Sequence, residues 1–213
     1  MDAPVGVDSL VGSVGERMLQ QAYGTRERAQ RFYDTQVVDR LSDTMTRFIG
    51  RQEMMFVSTA DADGRCDSTF RAGPPGFVSV LNERQVAWPE YRGNGVMASL
   101  GNIAVNGNAG LLFVDFFEDL IGLHVNGRAE IVEDLPEIAT DRRCVRWVRV
   151  DVEEAYIHCR KHIPLLAKVP RDRSWGTDDA RRKGGDYFEV RRRAAAEPVP
   201  ERRRWWQRRP AGR

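Results

Sequence analysis

Histidine and cysteine are scarce, with three of each in 213 residues, and no two cysteines stand in a CxxC spacing. An odd number of cysteines without that spacing argues against a disulfide framework or a zinc site. Cys66, Cys144 and Cys159 are expected as reduced, mostly buried thiols. Long apolar runs are also missing, and none approaches the ~20 residues that a membrane-spanning helix needs. The start, MDAPVGVDSL, has no basic stretch leading into an apolar core, so no secretory signal is read and a cytoplasmic protein is expected. No internal repeat and no Ser-His-Asp order stand out. Glu153 and Glu154 are adjacent on a predicted strand and point to opposite faces, so they do not make a carboxylate pair.

What is present describes an ordinary globular chain, 41% hydrophobic and 30% charged, long enough to bury a core. The net charge of +2 hides an asymmetry: from residue 191 onward nine arginines stand against Glu197 and Glu201, leaving the body acidic. That tail interleaves Arg with Trp205 and Trp206, which suits phosphates and stacked bases or an anionic membrane surface. Its charge and length keep it from building a core, so it is expected to be disordered.

Ser13-Val14-Gly15-Glu16 has the spacing of a capping box, with Met18, Leu19, Ala22 and Tyr23 as an apolar group behind it. Gly24 interrupts, and Thr25 restarts a helix through Phe32 and Tyr33. Val37, Val38, Leu41, Met45, Phe48 and Ile49 then recur near the 3.6-residue period of one buried helical face. Residues 1–50 are therefore expected as an arm and helical cover, 51–190 as the main domain and 191–213 as the tail.

Residues 54–115 organise the rest. Strand patterns at 54–59 (MMFVST) and 66–70 (CDSTF) flank the turn Asp61-Ala62-Asp63-Gly64, and further short strands are read at 77–81 and 85–88. Pro89-Glu90-Tyr91-Arg92-Gly93-Asn94-Gly95 then leads into a helix over 96–105, followed by a strand at 109–115. Helix N-termini present unpaired N–H groups and the positive end of the dipole. The Gly93-Asn94 helix start is thus expected to cradle a phosphate, with Arg71 adding a fixed charge from a neighbouring strand end and Gly73 allowing close backbone approach. Beyond it, 121–132 reads as a longer strand with a bulge at Gly127, and 133–140 as a short helix. The alternating run 144–156 is expected to close the barrel as its final strand. Residues 158–169 read as a short helix or turn stopped by Pro170, and 171–186 as a surface loop. On a helix, His158 and His162 would share a face beside Cys159, yet no carboxylate or second cysteine completes a metal set, and none is expected.

In order and spacing, FVSTADADGRCDSTFRAGPPGFVSVL, VAWPEYRGNGVMASLGNI, AGLLFVD and LHVNGRAEIVE resemble the pyridoxamine 5′-phosphate oxidase-like, FMN-binding split-barrel family. The resemblance covers residues 48–187, including VEEAYIHCRK and SWG, which are similar to the C-terminal part of an uncharacterised branch. It implies a mostly β (α+β) fold: an antiparallel split β-barrel of about six to seven strands, with N-terminal helices and one helix crossing the barrel. It also implies an FMN cofactor and a homodimer with the flavin at the subunit interface.

By that resemblance Arg71, Gly93 and Asn94 contact the phosphate, and Trp88, Pro89 and Tyr91 run beside the flavin, with Ser99 and Asn102 as further candidates. His124 and Trp175 are candidates to reach a flavin held mainly by the other subunit; for His124 an exposed strand histidine is the alternative. The chain departs from the oxidase pattern in having Cys66 where the oxidase has an additional basic residue, and Gly93-Asn94 where it has a basic pair. The Arg and His pattern that holds pyridoxamine phosphate is missing from the C-terminal part, so vitamin B6 oxidation is not expected. The implied activity is that of an FMN-dependent oxidoreductase acting on a small organic substrate, with a nicotinamide-type donor or oxygen as partner. The alternatives are a haem- or deazaflavin-holding protein without turnover, or a nucleic-acid-associated protein acting through the basic tail.

Overall fold

The alternating pattern at the start of the main domain forms a hairpin in the computed structural model, which describes residues 12–138, 143–170, 174–177, 179, 182 and 184–190. The expected arm before residue 12 and the tail from 191 lie outside the described residues. Chain contacts divide the protein into two compact units, Met1–Thr177 and Asp178–Arg213. The first carries the sheet and every candidate site residue.

Seven strands form one antiparallel sheet: β1 (Met54–Ala60), β2 (Cys66–Ala72), β3 (Ser79–Asn82), β4 (Gln85–Tyr91), β5 (Asn108–Val114), β6 (Gly122–Val132) and β7 (Cys144–His158). Their spatial order is β2-β1-β5-β6-β7-β4-β3. β7 therefore lies between β6 and β4 rather than closing the barrel last, and β2 and β3 end the sheet. The sheet still curls. Arg71 of β2 and Glu90 of β4 stand 2.7 Å apart although their strands are first and sixth in the order. On a flat sheet those five steps would span roughly 24 Å.

The inner face of the curl holds the main core, built from Met55, Val57, Val86, Trp88, Leu111, Phe113, Val125, Val148 and Val150. Fully burying one such side chain stabilises the fold by about 1.5–3 kcal/mol. A smaller cluster of Ala87, Leu135 and Trp147 covers the opposite face of β4 and β7. β4 runs on through Pro89 to Tyr91 because β3 pairs it only as far as Ala87. Beyond that point β4 has β7 alone as a neighbour, and a residue without an N–H is tolerated at such an edge. The expected bulge is present: the β6–β7 register shifts between Asn126 and Gly127. A side chain at Gly127 would fall onto the carbonyl oxygen of Asp151.

Helices α1 (Val14–Ala22), α2 (Arg26–Gln36) and α3 (Asp43–Gly50) precede the sheet. The capping box forms as expected, with Ser13 Oγ accepting from the Glu16 N–H and Glu16 Oε1 from that of Ser13. Behind it, however, Met18, Leu19 and Tyr23 are exposed, and neither α1 nor α2 buries a residue. The run 37–49 is not one helix. Val38 pairs as an extended bridge with Ala155, and the helix starts only at Asp43, where Ser42 caps it. Residues 133–138 turn without forming a helix, and the rest of that expectation, 139–140, lies outside the described residues. β7 extends to His158, one 3₁₀ turn follows at Arg160–His162, and irregular chain continues to 170.

Candidate functional site

In an antiparallel pair, directly opposed residues share a face. Arg71 opposes the buried Met55, Thr69 opposes Val57, and Asp67 opposes Thr59, so β2 turns a polar row of Asp67, Thr69 and Arg71 toward the inside. Arg71 stands at the end of that row. Its Nε donates to Glu90 Oε1 at 2.7 Å and its Nη1 to Thr69 Oγ1 at 2.8 Å. Nη2 makes no hydrogen bond among the described residues.

Glu90 is the buried hinge of this network. Its Oε1 also accepts from Trp88 Nε1 at 2.8 Å, an i,i+2 pair on the inner face of β4. Its side chain is 10% exposed, against 21% for Arg71. A carboxylate so placed is tolerable because two N–H donors meet it, one of them from the Arg71 cation. Trp88 is itself only 1% exposed and belongs to the core, so only its backbone remains for a ligand.

The expected helix start is displaced. Helix α4 (Ala98–Val105) begins at Ala98, with Met97 in the left-handed region as its N-cap and no side chain capping it. Gly93 and Asn94 lie in the exposed loop before it, where Asn94 Oδ1 accepts from the Val96 N–H at 3.0 Å. A Gly/Asn turn resembles a helix entry in sequence, but the Asn94 carboxamide closes a local turn first. The Gly93-Asn94 pair therefore does not carry the helix-end N–H groups assigned to it.

Ser99 and Asn102 lie one turn apart on α4 and fasten it over the far end of the polar row. Ser99 Oγ donates to Asp67 Oδ2 and Asn102 Nδ2 to Thr59 Oγ1, both at 3.0 Å. Gly73 has a packing reason of its own, since an added Cβ would fall onto the Phe77 side chain. Tyr91 and Trp175 are brought near one another by Arg143, whose guanidinium sits 5.8 Å from the Tyr91 ring centre and donates to the Trp175 carbonyl at 3.2 Å. Pro89 is buried opposite Trp147.

His124 belongs to a separate group on the outer face of β6 and β7. Its Nε2 lies 3.0 Å from Nδ1 of His158, and its ring stacks on Tyr156 with centres 4.6 Å apart. It is thus half-buried and paired rather than an exposed strand histidine. Burial pushes its pKa down, and His158 adds to that, outweighing the opposite pull of Glu154. Burial likewise raises the Tyr156 phenol. Because His158 ends a strand, the helical face that would join it to His162 does not exist. Among the described residues no group of three or more His, Cys, Asp or Glu side chains is placed to hold a metal. None of the three cysteines is in a disulfide, but Cys66 and Cys159 are exposed and Cys144 half-buried, contrary to the expectation of mostly buried thiols.

Sequence reasoning missed Glu90, Thr69 and Asp67. The signal was there as a period of two: Asp67-x-Thr69-x-Arg71 on one strand and Trp88-x-Glu90 on another each put polar groups on a single face. No helix among the described residues is long and apolar enough to cross a membrane.

The Pyridoxamine 5′-phosphate oxidase family profile matches residues 41–159, more than half of the chain. No curated protein matches. Among solved structures, HupZ of Group A Streptococcus is 22% identical, covering 55% of this chain and 93% of its own, with a TM-score of 0.42. HutZ of Vibrio cholerae, described as a heme storage protein, is 14% identical, covering 55% and 94%, with a TM-score of 0.41. An FAD binding protein of Mycobacterium smegmatis is 20% identical, covering 57% and 97%, with a TM-score of 0.39. Likenesses of this size say nothing about chemistry. The profile match spans the sheet from α3 through β7, including the Arg71–Glu90 corner, and so the chain belongs to the pyridoxamine 5′-phosphate oxidase family.

Proposed function

We propose that this chain holds a flavin nucleotide through its FMN moiety and acts as an oxidoreductase on a small organic substrate. Its electron partner is a reduced nicotinamide or oxygen, it works as a cytoplasmic homodimer, and the flavin lies at the subunit interface. The observation that carries this reading is Arg71, held on the inner face of β2 by Thr69 and Glu90, with its Nη2 making no hydrogen bond among the described residues. A guanidinium so fixed offers a pre-aimed donor to a phosphate oxygen at little cost in side-chain entropy. The polar row beside it supplies hydroxyl and carboxylate partners for a polyhydroxylated chain. The exposed Gly93–Gly95 loop leaves backbone N–H groups accessible.

When bound, a flavin supplies hydride and electron transfer that side chains do not. In this chain Arg71 would bind the phosphate, Thr69 and Glu90 would orient Arg71, and the Trp88–Pro89 backbone would flank the ring. The test is an absorbance spectrum of the purified protein, then chromatography of what denaturation releases. A band near ~450 nm and a released flavin are expected, as is reduction by a nicotinamide donor. Arg71→Ala should weaken flavin binding at least about tenfold, the scale of one lost charge-assisted contact. A colourless protein that takes up no added flavin, or one carrying only a haem band, would overturn the reading.

A further inference from the structure

Helix α1 turns its polar side to the protein and its apolar side to solvent. Tyr33 of α2 donates its hydroxyl to Glu16 Oε2 at 2.6 Å, and Gln20 Nε2 donates to the same phenol oxygen at 2.7 Å. Those two bonds fix the face that α1 presents to α2. Val14, Met18 and Ala22 recur at four-residue spacing on the opposite face, with Leu19 and Tyr23, one turn apart, widening the stripe. Val14, Met18, Leu19 and Tyr23 are 59–78% exposed. A helix of a globular chain buries such a stripe. α1 also lies ahead of residues 41–159, the stretch on which the family match rests.

A second uncovered apolar surface lies on the outer face of the sheet. The strand register lines up Phe70, Phe56, Leu112, His124 and Tyr156 in one row across β2, β1, β5, β6 and β7. At the β7 end this row already carries a helix, since Phe32 of α2 meets Tyr156 edge to face at 6.2 Å. At the β2 end Phe56 and Phe70 meet edge to face at 5.5 Å and stay 37% and 50% exposed. On the same face of that hairpin Met54 opposes Ala72, Ser58 opposes Ser68 and Ala60 opposes Cys66, so it bears no charged side chain.

The bare helix stripe and the charge-free aromatic patch fit one another chemically, and one chain carries both. We propose that α1 of each copy docks across Phe56 and Phe70 of a second copy, giving two equal contacts about a twofold axis. Counting roughly 100 Å² for an aliphatic side chain and roughly 175 Å² for an aromatic one, the exposed fractions offer about 500 Å² of apolar area per copy. A stable dimer takes about 800 Å² from each partner, of which a little over half is apolar. The two surfaces together meet that need. A lipid surface fits less well, because a helix lying in a membrane interface is rich in Lys and Arg on its polar side. The charges of α1 are Arg17 and Glu16 alone, and they cancel.

This inference rests on the homodimer of the reading above and names a contact within it that needs no flavin. Sedimentation equilibrium of the full-length protein over a dilution series tests it. The wild type should be a dimer. Met18→Glu and Phe70→Glu each put a carboxylate into the apolar contact twice per dimer, and each should raise the dissociation constant at least about a hundredfold. Met18→Glu with Phe70→Lys sets opposite charges across the contact. It should dimerise at least about tenfold more tightly than Met18→Glu with Phe70→Glu, which a merely local effect on either surface would not give. Circular dichroism checks that the variants fold; should a Phe70 variant fail, Leu19→Glu joins Met18→Glu as a second test on the exposed helix. The proposal is overturned if the wild type is a monomer, if Met18→Glu leaves the dimer unchanged, or if the two double variants dimerise alike. It is also overturned if the wild type binds anionic phospholipid vesicles and Met18→Glu abolishes that binding but not the dimer. The flavin band is read on the same samples. A colourless dimer that responds to Met18→Glu upholds this proposal and sinks the flavin reading, whereas a flavin-bound dimer that ignores the substitution does the reverse.

Discussion

Arg71→Ala should destabilise the protein as well as weaken a ligand, and the size of the effect follows from who loses a partner. Glu90 would keep only the Trp88 N–H while its side chain stays 10% exposed. Removing one member of a buried ion pair costs about 3–5 kcal/mol. Arg71 is 21% exposed, so water reaches the vacated space and reduces that cost, to about 2 kcal/mol. For a chain of this length that is a fall of about 4–8 °C in Tm. Glu90→Gln alone should cost less, about 1 kcal/mol, since the guanidinium keeps Thr69 and gains water. In the double variant the neutral Gln needs no cation, and about 1 kcal/mol should return relative to the sum of the single effects. Urea denaturation followed by tryptophan fluorescence measures all four corners of the cycle, because Trp88 lies in the core. Additive losses would refute the reasoning: the two side chains would then be neighbours without energetic coupling.

Other expectations follow from single contacts. Gly127→Ala places a Cβ on the Asp151 carbonyl and 3.2 Å from the Glu153 nitrogen, all backbone, so about 3 kcal/mol or more should be lost; Gly101→Ala, with nothing within 4 Å, should be neutral or stabilising by about 0.5–1 kcal/mol. Thermal melts distinguish the two, and equal shifts would argue against the bulge geometry. Burial alone would raise the pKa of Asp115, but N–H groups of Phe117, Glu118 and Asp119, with Arg51 behind them, bring it below the usual value. Its contribution is therefore present above the unfolded pKa and lost as pH falls through the lower folded one, and Asp115→Asn should flatten the acid limb of the Tm–pH curve. His124 is depressed by burial and by His158, so its contribution is complete above the unfolded value near ~6.5 and shrinks as pH falls toward the folded one. A Tm fall between pH 7.5 and 5.5 should be smaller in His124→Gln, and an identical fall would contradict the pairing.

Local chemistry was well read from the chain. The capping box at Ser13 and the turn at Gly64 each depend on neighbours within a few residues, and each is found; the bulge at Gly127 is found too, although it is set against Asp151 of β7. Most of what failed depends on partners far along the chain. The alternation at 144–156 marks a long strand but not its place, because a strand in the middle of a sheet and one at its edge have the same period of two. Met18 and Tyr23 belong to an apolar helical group, yet the pattern does not say which surface covers them, and among the described residues none does. Arg71 was legible as a candidate cation, whereas its pairing with Glu90 needs the curl that brings the first and sixth strands together. The displaced start of α4 turns on one side chain, Asn94, bonding its own loop before the helix can begin.

The place of β4 in the sheet bears on the order of folding. β6 and β7 form a ladder over eleven paired positions, whereas the β4–β7 pairing joins Gln85 to Asp151, 66 residues apart in the chain. Closing the longer loop costs more entropy, and β4 has no other long strand to dock on until β7 is laid down. The β3–β4 hairpin is accordingly a late arrival, and the corner that unites Glu90 with Arg71 is completed at the end of folding. Pulse-labelling hydrogen exchange should find the amides of β6 and β7 protected before those of Trp88 and Glu90. Simultaneous protection would mean that the sheet condenses as one piece.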